Sequence, residues 1–209
     1  MGIPVLVIGK SGSGKTASLR NFKKDEIGIF NVASKPLPFK NDFITIDKPS
    51  YTTIEKSLKR NKLKTYIIDD SQYLMAFESF EKASEKGYNK FTEMAVNFYN
   101  LIQAVITETP NDTIVYFLHH SQESEYGIKA KTIGKMLDDQ LTVEGLFSIV
   151  LMAINSSGEY KFLTHSDGKS TVKTPIGMFE EKEIDNDLKI VDTTIRDFYN
   201  LGGNKNEEV

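Results

Sequence analysis

The stretch Gly9-Lys10-Ser11-Gly12-Ser13-Gly14-Lys15-Thr16 constrains this chain more than any other. It spells G-x-x-x-x-G-K-T, the pattern of a phosphate-binding P-loop. Its flanks suit the pattern: Ile3-Pro4-Val5-Leu6-Val7-Ile8 reads as a buried strand, and Ala17 to Phe22 can start a helix. Gly9, Gly12 and Gly14 let the backbone bend tightly and approach a ligand with no Cβ in the way. Such a loop points N–H groups at the mouth of a helix, where the dipole favours anions. The expected phosphate cradle is Gly9, Lys10, Ser11, Gly12, Ser13, Gly14, Lys15, Thr16 and Ala17. Lys15 can reach terminal phosphates as a catalytic cation, and the Thr16 hydroxyl can ligate Mg²⁺. ATP and Mg²⁺ are therefore the expected cofactors. The alternative, a Gly/Ser-rich turn with an unrelated lysine, explains neither flank.

A second apolar run, Thr65-Tyr66-Ile67-Ile68-Asp69-Asp70, ends in two carboxylates. Placed after a glycine loop, this is the Walker B pattern. Asp69 stands where a carboxylate holds the Mg²⁺ shell opposite Thr16. Asp70 is placed to orient or deprotonate an attacking water, or else Asp70 or Ser71 caps the next helix. A further strand, Thr113 to Leu118, ends at His119-His120-Ser121-Gln122. His120, His119 or Gln122 can touch a terminal phosphate or its water; the alternative is a pair of histidines satisfied by backbone. Adjacent strand residues face opposite ways, which speaks against a two-histidine metal site.

The remaining chain supplies a scaffold. Ile27 to Val32 reads as a strand, Phe43 to Ile46 as a short edge strand, and Ser50 to Arg60 as a helix with Ile54 and Leu58 inward. Between them Ala33 to Phe39 is irregular, with two prolines; its Lys35 either faces the ligand or a neighbouring subunit, or is merely solvated. Helices are expected over 72–86 and 88–109. In the second, Phe91, Ala95, Phe98, Leu101, Ile102 and Val105 form one apolar stripe, and in the first Phe77 and Phe80 turn inward as core. Residues 123–140 read as a long polar loop carrying Lys129, Lys131 and Lys135. Those lysines can contact phosphates of DNA or of a neighbour's nucleotide, or the loop is simply solvated, as Glu123 and Glu125 suggest. Phe147 to Ile154 and Tyr160 to His165 form a hairpin around Asn155-Ser156-Ser157-Gly158, and Asp185 to Leu201 is a closing amphipathic helix with Leu188, Val191, Ile195 and Phe198 inward.

Composition narrows the classes. Formal net charge is −3 over 209 residues, so a dedicated nucleic-acid binder is not indicated, and DNA contact needs a local basic patch. No cysteine is present, which excludes disulfides and thiolate metal sites. No apolar stretch is long enough to span a bilayer, and the first strand leaves no room for a signal peptide, so a cytoplasmic protein is expected. One domain over 1–201 with a disordered tail over 202–209 is the expected organisation.

Together these residues resemble a RecA-like P-loop ATPase. More narrowly the chain is similar to phage-encoded Sak-type ATP-binding proteins of single-strand annealing and recombination. The likeness rests on Gly9 to Thr16, on Thr65 to Asp70, and on the runs Gly28 to Val32, Pro36 to Phe39, Thr132 to Leu137 and Thr174 to Phe179. It implies an α/β fold with a mainly parallel central sheet, helices on its flanks and a C-terminal antiparallel hairpin. It implies ATP hydrolysis coupled to single-stranded DNA in a homo-oligomer, within phage replication or recombination in a bacterial host, together with partner proteins of that machinery. Departures are plain. The N-terminal polymerisation arm of RecA is missing, no glutamate is placed as catalytic base, and Arg196 is the only arginine of the second half. A charge supplied by a neighbouring subunit must then be a lysine, with Lys169 and Lys173 better placed than Lys129 or Lys131. Two other functions stay open. One is a nucleotide-gated binding module with weak hydrolysis that recruits replication proteins. The other, a nucleoside or nucleotide kinase, lacks the arginine-rich lid that its class uses.

Overall fold

In the computed structural model, residues 1–125, 127–134, 137 and 142–201 are described. Lys135 and the expected tail over 202–209 lie outside them. The elements are β1 (Ile3–Gly9), β2 (Ile27–Asn31), β3 (Thr45–Asp47), α1 (Tyr51–Arg60), β4 (Thr65–Asp69), α2 (Gln72–Glu81), α3 (Asn89–Glu108), β5 (Ile114–Ser124), β6 (Gly127–Ala130), β7 (Ile149–Ser156), β8 (Glu159–Leu163), β9 (Glu183–Asp185) and α4 (Leu188–Phe198). The sheet runs β3-β2-β4-β5-β1-β7-β8-β9, with β6 paired to the far end of β5. From β3 to β7 every pairing is parallel; β8 and β9 extend the sheet antiparallel. The protein is thus α/β with a mixed, largely parallel sheet, an architecture compatible with Rossmann-like and RecA-like folds.

Strand sequences explain the two-sided core. Parallel strands buried on both faces are apolar throughout rather than alternating. In β1, Leu6 and Ile8 join one cluster with Ile54, Leu74, Phe98 and Leu101, so α1, α2 and α3 cover that face. Val5 and Val7 join the other, with Leu19, Phe22, Leu188, Val191 and Ile195, so α4 covers the second. Each fully buried aliphatic contributes about 1.5–3 kcal/mol. Helix α1 has both ends fixed locally: the Thr53 amide donates to the Ser50 hydroxyl at 3.2 Å, and Asn61 closes the helix with φ 42°.

Several expectations are corrected. The segment after the glycine loop is not an α-helix but a single 3₁₀ turn, Thr16–Leu19. Leu19 and Phe22 are buried in the second core cluster, and the chain then runs through turns to β2 at Ile27. The supposed loop over 123–140 begins as a hairpin, because β5 runs on to Ser124 and pairs with β6. Helix α2 stops at Glu81, short of Lys86, and β3 sits at 45–47, not 43–46. Phe77 and Phe80 are not core: they are 39% and 75% exposed, because α2 turns Leu74, Met75 and Ala76 inward instead. Phe198 likewise lies half out of the core, at 38%. Strand β9 has no sequence counterpart among the expected elements; it forms because 183–185 has a ready edge on β8. No helix of the described residues is long and apolar enough to cross a membrane.

Candidate functional site

Sheet order assembles the site. β5 lies between β1 and β4, so the end of β1 and the carboxyl ends of β4 and β5 share one edge. Gly9 is in register with His120, and Asn31 with Asp69. Ligand crevices of parallel sheets open at this edge. Here it holds a cleft of about 330 Å³ lined by Ser11 to Ala17, Lys35, Pro36, Pro38, Asp69, Asp70, His120 and Tyr160.

The glycine loop is tightly specified. Gly14 has φ 92°, and a Cβ there would stand 2.7 Å from the Tyr160 ring. A Cβ on Gly9 would meet the Ser13 hydroxyl at 2.4 Å. Lys15 is buried, and its ammonium donates to the carbonyls of Gly9 (2.8 Å) and Lys10 (3.0 Å). Burial lowers its pKa to about 8, against the pull of Asp70 and Asp69. The Thr16 hydroxyl donates to Asp69, 3.0 Å from Oδ1 and 3.2 Å from Oδ2. Burial, aided by Asp70, pushes the Asp69 carboxyl up to about 6. A hydroxyl beside a carboxylate, with a buried unpartnered Ser13 hydroxyl in the same loop, suits Mg²⁺ and phosphate oxygens. Mg²⁺ takes one or two protein oxygens and leaves its other positions to water and phosphate. Among the described residues no group of three His, Asp or Glu could form a protein cage for a metal. Because only a four-residue turn follows, any anion affinity rests on Lys15 and the loop, and the helix-dipole contribution falls away.

Asp70 faces the cleft and does not cap α2. Its φ of 59° is left-handed, a strained choice for a non-glycine residue at a strand–helix junction. Lys35 donates to its Oδ2 at 2.9 Å, and His120 Nε2 lies 3.2 Å from Oδ1 without meeting hydrogen-bond geometry. Burial alone would raise this carboxyl; His120 and Lys35 outweigh it and hold it at about 2. Lys35 also sits 5.0 Å over the Tyr73 ring, which meets His120 edge-on. Lys35 is therefore part of the cleft, not a merely solvated lysine.

Other expected residues are elsewhere. Lys10 turns away to Glu123 at 2.6 Å. His119 points to the opposite face from His120: its Nε2 donates to the Lys131 carbonyl at 2.8 Å, so Nδ1 accepts from the Ser71 hydroxyl at 2.8 Å. Gln122 lies in the β5–β6 hairpin and does not line the cleft. Lys129, Lys131, Lys169 and Lys173 do not line it either. They stand on adjoining segments, because β6 pairs with the 169–171 stretch through Ile128 N to Lys169 O (2.8 Å) and Thr171 N to Ile128 O (3.0 Å). Arg196 is at the opposite end of the sheet, bonded to Asp192 and Lys64, so it cannot serve this cleft. Tyr160 and Asn186 were not visible in the sequence as site residues. They reach Gly14 because β8 folds back on β7 and β9 on β8; the 155–158 turn marks the first return, but not that it ends beside the glycine loop, and no local signal marks the second.

Two buried groups here give opposite pH slopes. Burial drops His119 from 6.5 to about 4, so its contribution to stability is complete above pH 6.5 and is lost as pH falls toward 4. Asp69 rises from 3.8 to about 6, so its contribution is complete below 3.8 and is lost as pH climbs through 6. At 1.36 kcal/mol per unit each is worth on the order of 3 kcal/mol, with opposite sign between pH 4 and 6. Asp69→Asn removes the opposing slope, so the urea midpoint of the variant should rise more steeply with pH between 4 and 6.5 than that of the wild type. A variant profile no steeper than the wild type would refute the buried neutral histidine.

No known family model matches this chain, and no curated protein matches it.

Proposed function

We propose that the protein is a Mg²⁺-dependent ATPase of the RecA-like P-loop class, similar to the phage Sak-type proteins, acting as an oligomer on single-stranded DNA in recombination or replication. The observation that carries this reading is the meeting of Thr16 and Asp69. A hydroxyl from the loop after β1 and a carboxylate from the end of β4, 53 positions apart in sequence, come to 3.0 Å. Thr16 and Asp69 would hold Mg²⁺, which offsets charge on a triphosphate when bound. Lys15, buried in the loop, neutralises phosphate charge, and Lys35 is a second cation on the same cleft. Asp70 and His120 stand together to orient an attacking water. DNA contact is assigned to the adjoining lysines 129, 131, 169 and 173. A charge from a neighbouring subunit remains an assignment to Lys169 or Lys173.

One observation favours the weaker-hydrolysis reading. A base works best with a pKa near the working pH, and Asp70 is held at about 2 by its partners. Asp70 can orient water but is a poor proton acceptor. The test is ATP turnover with and without a single-stranded oligonucleotide, in wild type and Asp70→Asn. An ATPase should turn over faster with DNA and lose about a hundredfold in the variant, as for loss of one positioned polar group. Tight Mg·ATP binding with no turnover in either protein would select the nucleotide-gated module.

A further inference from the structure

A second cavity, about 640 Å³, lies beyond Tyr73 from the cleft, between the start of α1 and the outer face of α2. It is larger than the cleft beside the glycine loop. Nothing in the proposed ATPase chemistry uses it.

Its polar atoms are incomplete. Among the described residues, six buried side-chain polar atoms lack a hydrogen-bond partner. Four of them, on Ser13, His120 and Asn186, surround the glycine loop; the other two, Tyr51 Oη and Glu78 Oε2, line this cavity. Buried polar atoms without partners are few in folded proteins and each asks for an explanation. Glu78 is not loose: its Oε1 accepts from Asn97 at 2.8 Å and from Lys82 at 3.0 Å. Burial, with Glu78 nearby, holds the Tyr51 phenol well above its ordinary range, so the hydroxyl remains a donor. Lys82 already answers the charge of Glu78, which leaves Oε2 in need of a neutral N–H rather than a second cation.

The walls are aromatic. Phe77 is stacked on Tyr73 at 5.3 Å, and Phe80 stands 75% exposed at the rim. Exposed Lys48, with a left-handed φ of 47°, stands at the mouth. A flat ring that offers an N–H beside an acceptor atom would satisfy Glu78 and Tyr51 together and cover the phenylalanines. A lysine at the mouth suits the phosphate attached to such a ring.

We propose that this cavity binds a nucleobase, with Glu78 Oε2 accepting from it, Tyr51 donating to it, and Phe77 and Phe80 covering its face. The inference rests on these residues and not on the nucleotide reading of the cleft.

The test uses the full chain with Mg·tripolyphosphate, which can fill the cleft with phosphates and brings no base to the cavity. Fluorescence anisotropy is measured with a labelled dA 12-mer and with an abasic 12-mer that keeps the phosphates. Tyr51→Phe removes one hydroxyl and Phe80→Ala removes an exposed ring, so both variants should fold. Each should weaken the dA 12-mer by about tenfold and leave the abasic strand unchanged. Lys129→Ala should weaken both strands alike, since it reads only phosphate. Free adenosine should compete with the labelled strand in wild type and not in Tyr51→Phe. Competition at the strand's own concentration range identifies a free nucleoside as the occupant; competition only at far higher concentration identifies a base within a strand. Unchanged dA affinity in both variants, above all with a raised melting temperature for Tyr51→Phe, would overturn the proposal. The hydroxyl would then be unpartnered with no ligand to serve. Failure of the ATPase reading would show separately, as absent turnover with base binding intact.

Discussion

Lys15→Ala should fold normally and lose at least a hundredfold in ATP turnover, with a matching loss of Mg·ATP affinity. The side chain is nearly solvent-free, and its ammonium holds the loop closed on the carbonyls of Gly9 and Lys10. Alanine removes the one cation inside the loop and leaves two carbonyls facing the phosphate position. Calorimetric titration with Mg·ATP checks this directly, with circular dichroism as the control for folding. Affinity equal to wild type would end the phosphate-loop reading, whatever the turnover.

The largest stability loss is expected at Asp192, at the opposite end of the sheet. Its carboxylate is buried and accepts from Thr65 Oγ1 (3.0 Å), Tyr116 Oη (3.2 Å) and Arg196 Nε (2.7 Å). Arg196 goes on to the carbonyls of Asp112 and Lys64, both at 2.9 Å. This one carboxylate ties α4 to the starts of β4 and to the interior of β5. Alanine would strand a fully buried phenol and a half-buried guanidinium, at a cost of about 3–5 kcal/mol. Asparagine keeps an acceptor and should cost less, about 1–3 kcal/mol. Urea unfolding of the two variants measures the difference. Equal, small losses would mean that the network relaxes around the gap. The functional consequence follows from topology: β4 and β5 carry Asp69, Asp70, His119 and His120 at their other ends, so loosening α4 should also blur the cleft.

Much of the cleft could be read in the sequence because its parts are local. Gly9 to Thr16 is eight consecutive residues whose conformation is set by glycine and by the strand before it. The ending of β4 at Asp69, with Asp70 next, is likewise written in three apolar residues, Tyr66 to Ile68, followed by two carboxylates. Strands buried on both faces announce themselves as continuous apolar runs, which is why β1, β2, β4 and β7 were legible. Where legibility failed, a competing contact decided the outcome. The turn after Thr16 is short because Leu19 and Phe22 are captured by the second core. Phe77 and Phe80 are as apolar as any core residue, yet the rotation of α2 was fixed by Leu74, Met75 and Ala76. The hairpin at 121–130 looked like a polar loop because most of its residues are polar and only its backbone pairing orders it.

The sequence by itself determined that a glycine loop follows the first strand, that a carboxylate pair closes a later one, and that the chain forms a layered α/β sheet. These are short-range facts of backbone freedom and apolar periodicity. Only the tertiary structure decided that β5 separates those two strands, which sets Thr16 against Asp69 and joins Lys35 and His120 to Asp70. It alone also left Tyr51 Oη and Glu78 Oε2 without partners beside two exposed phenylalanines. Strand order and helix rotation depend on contacts between residues distant in sequence, and no local pattern encodes them.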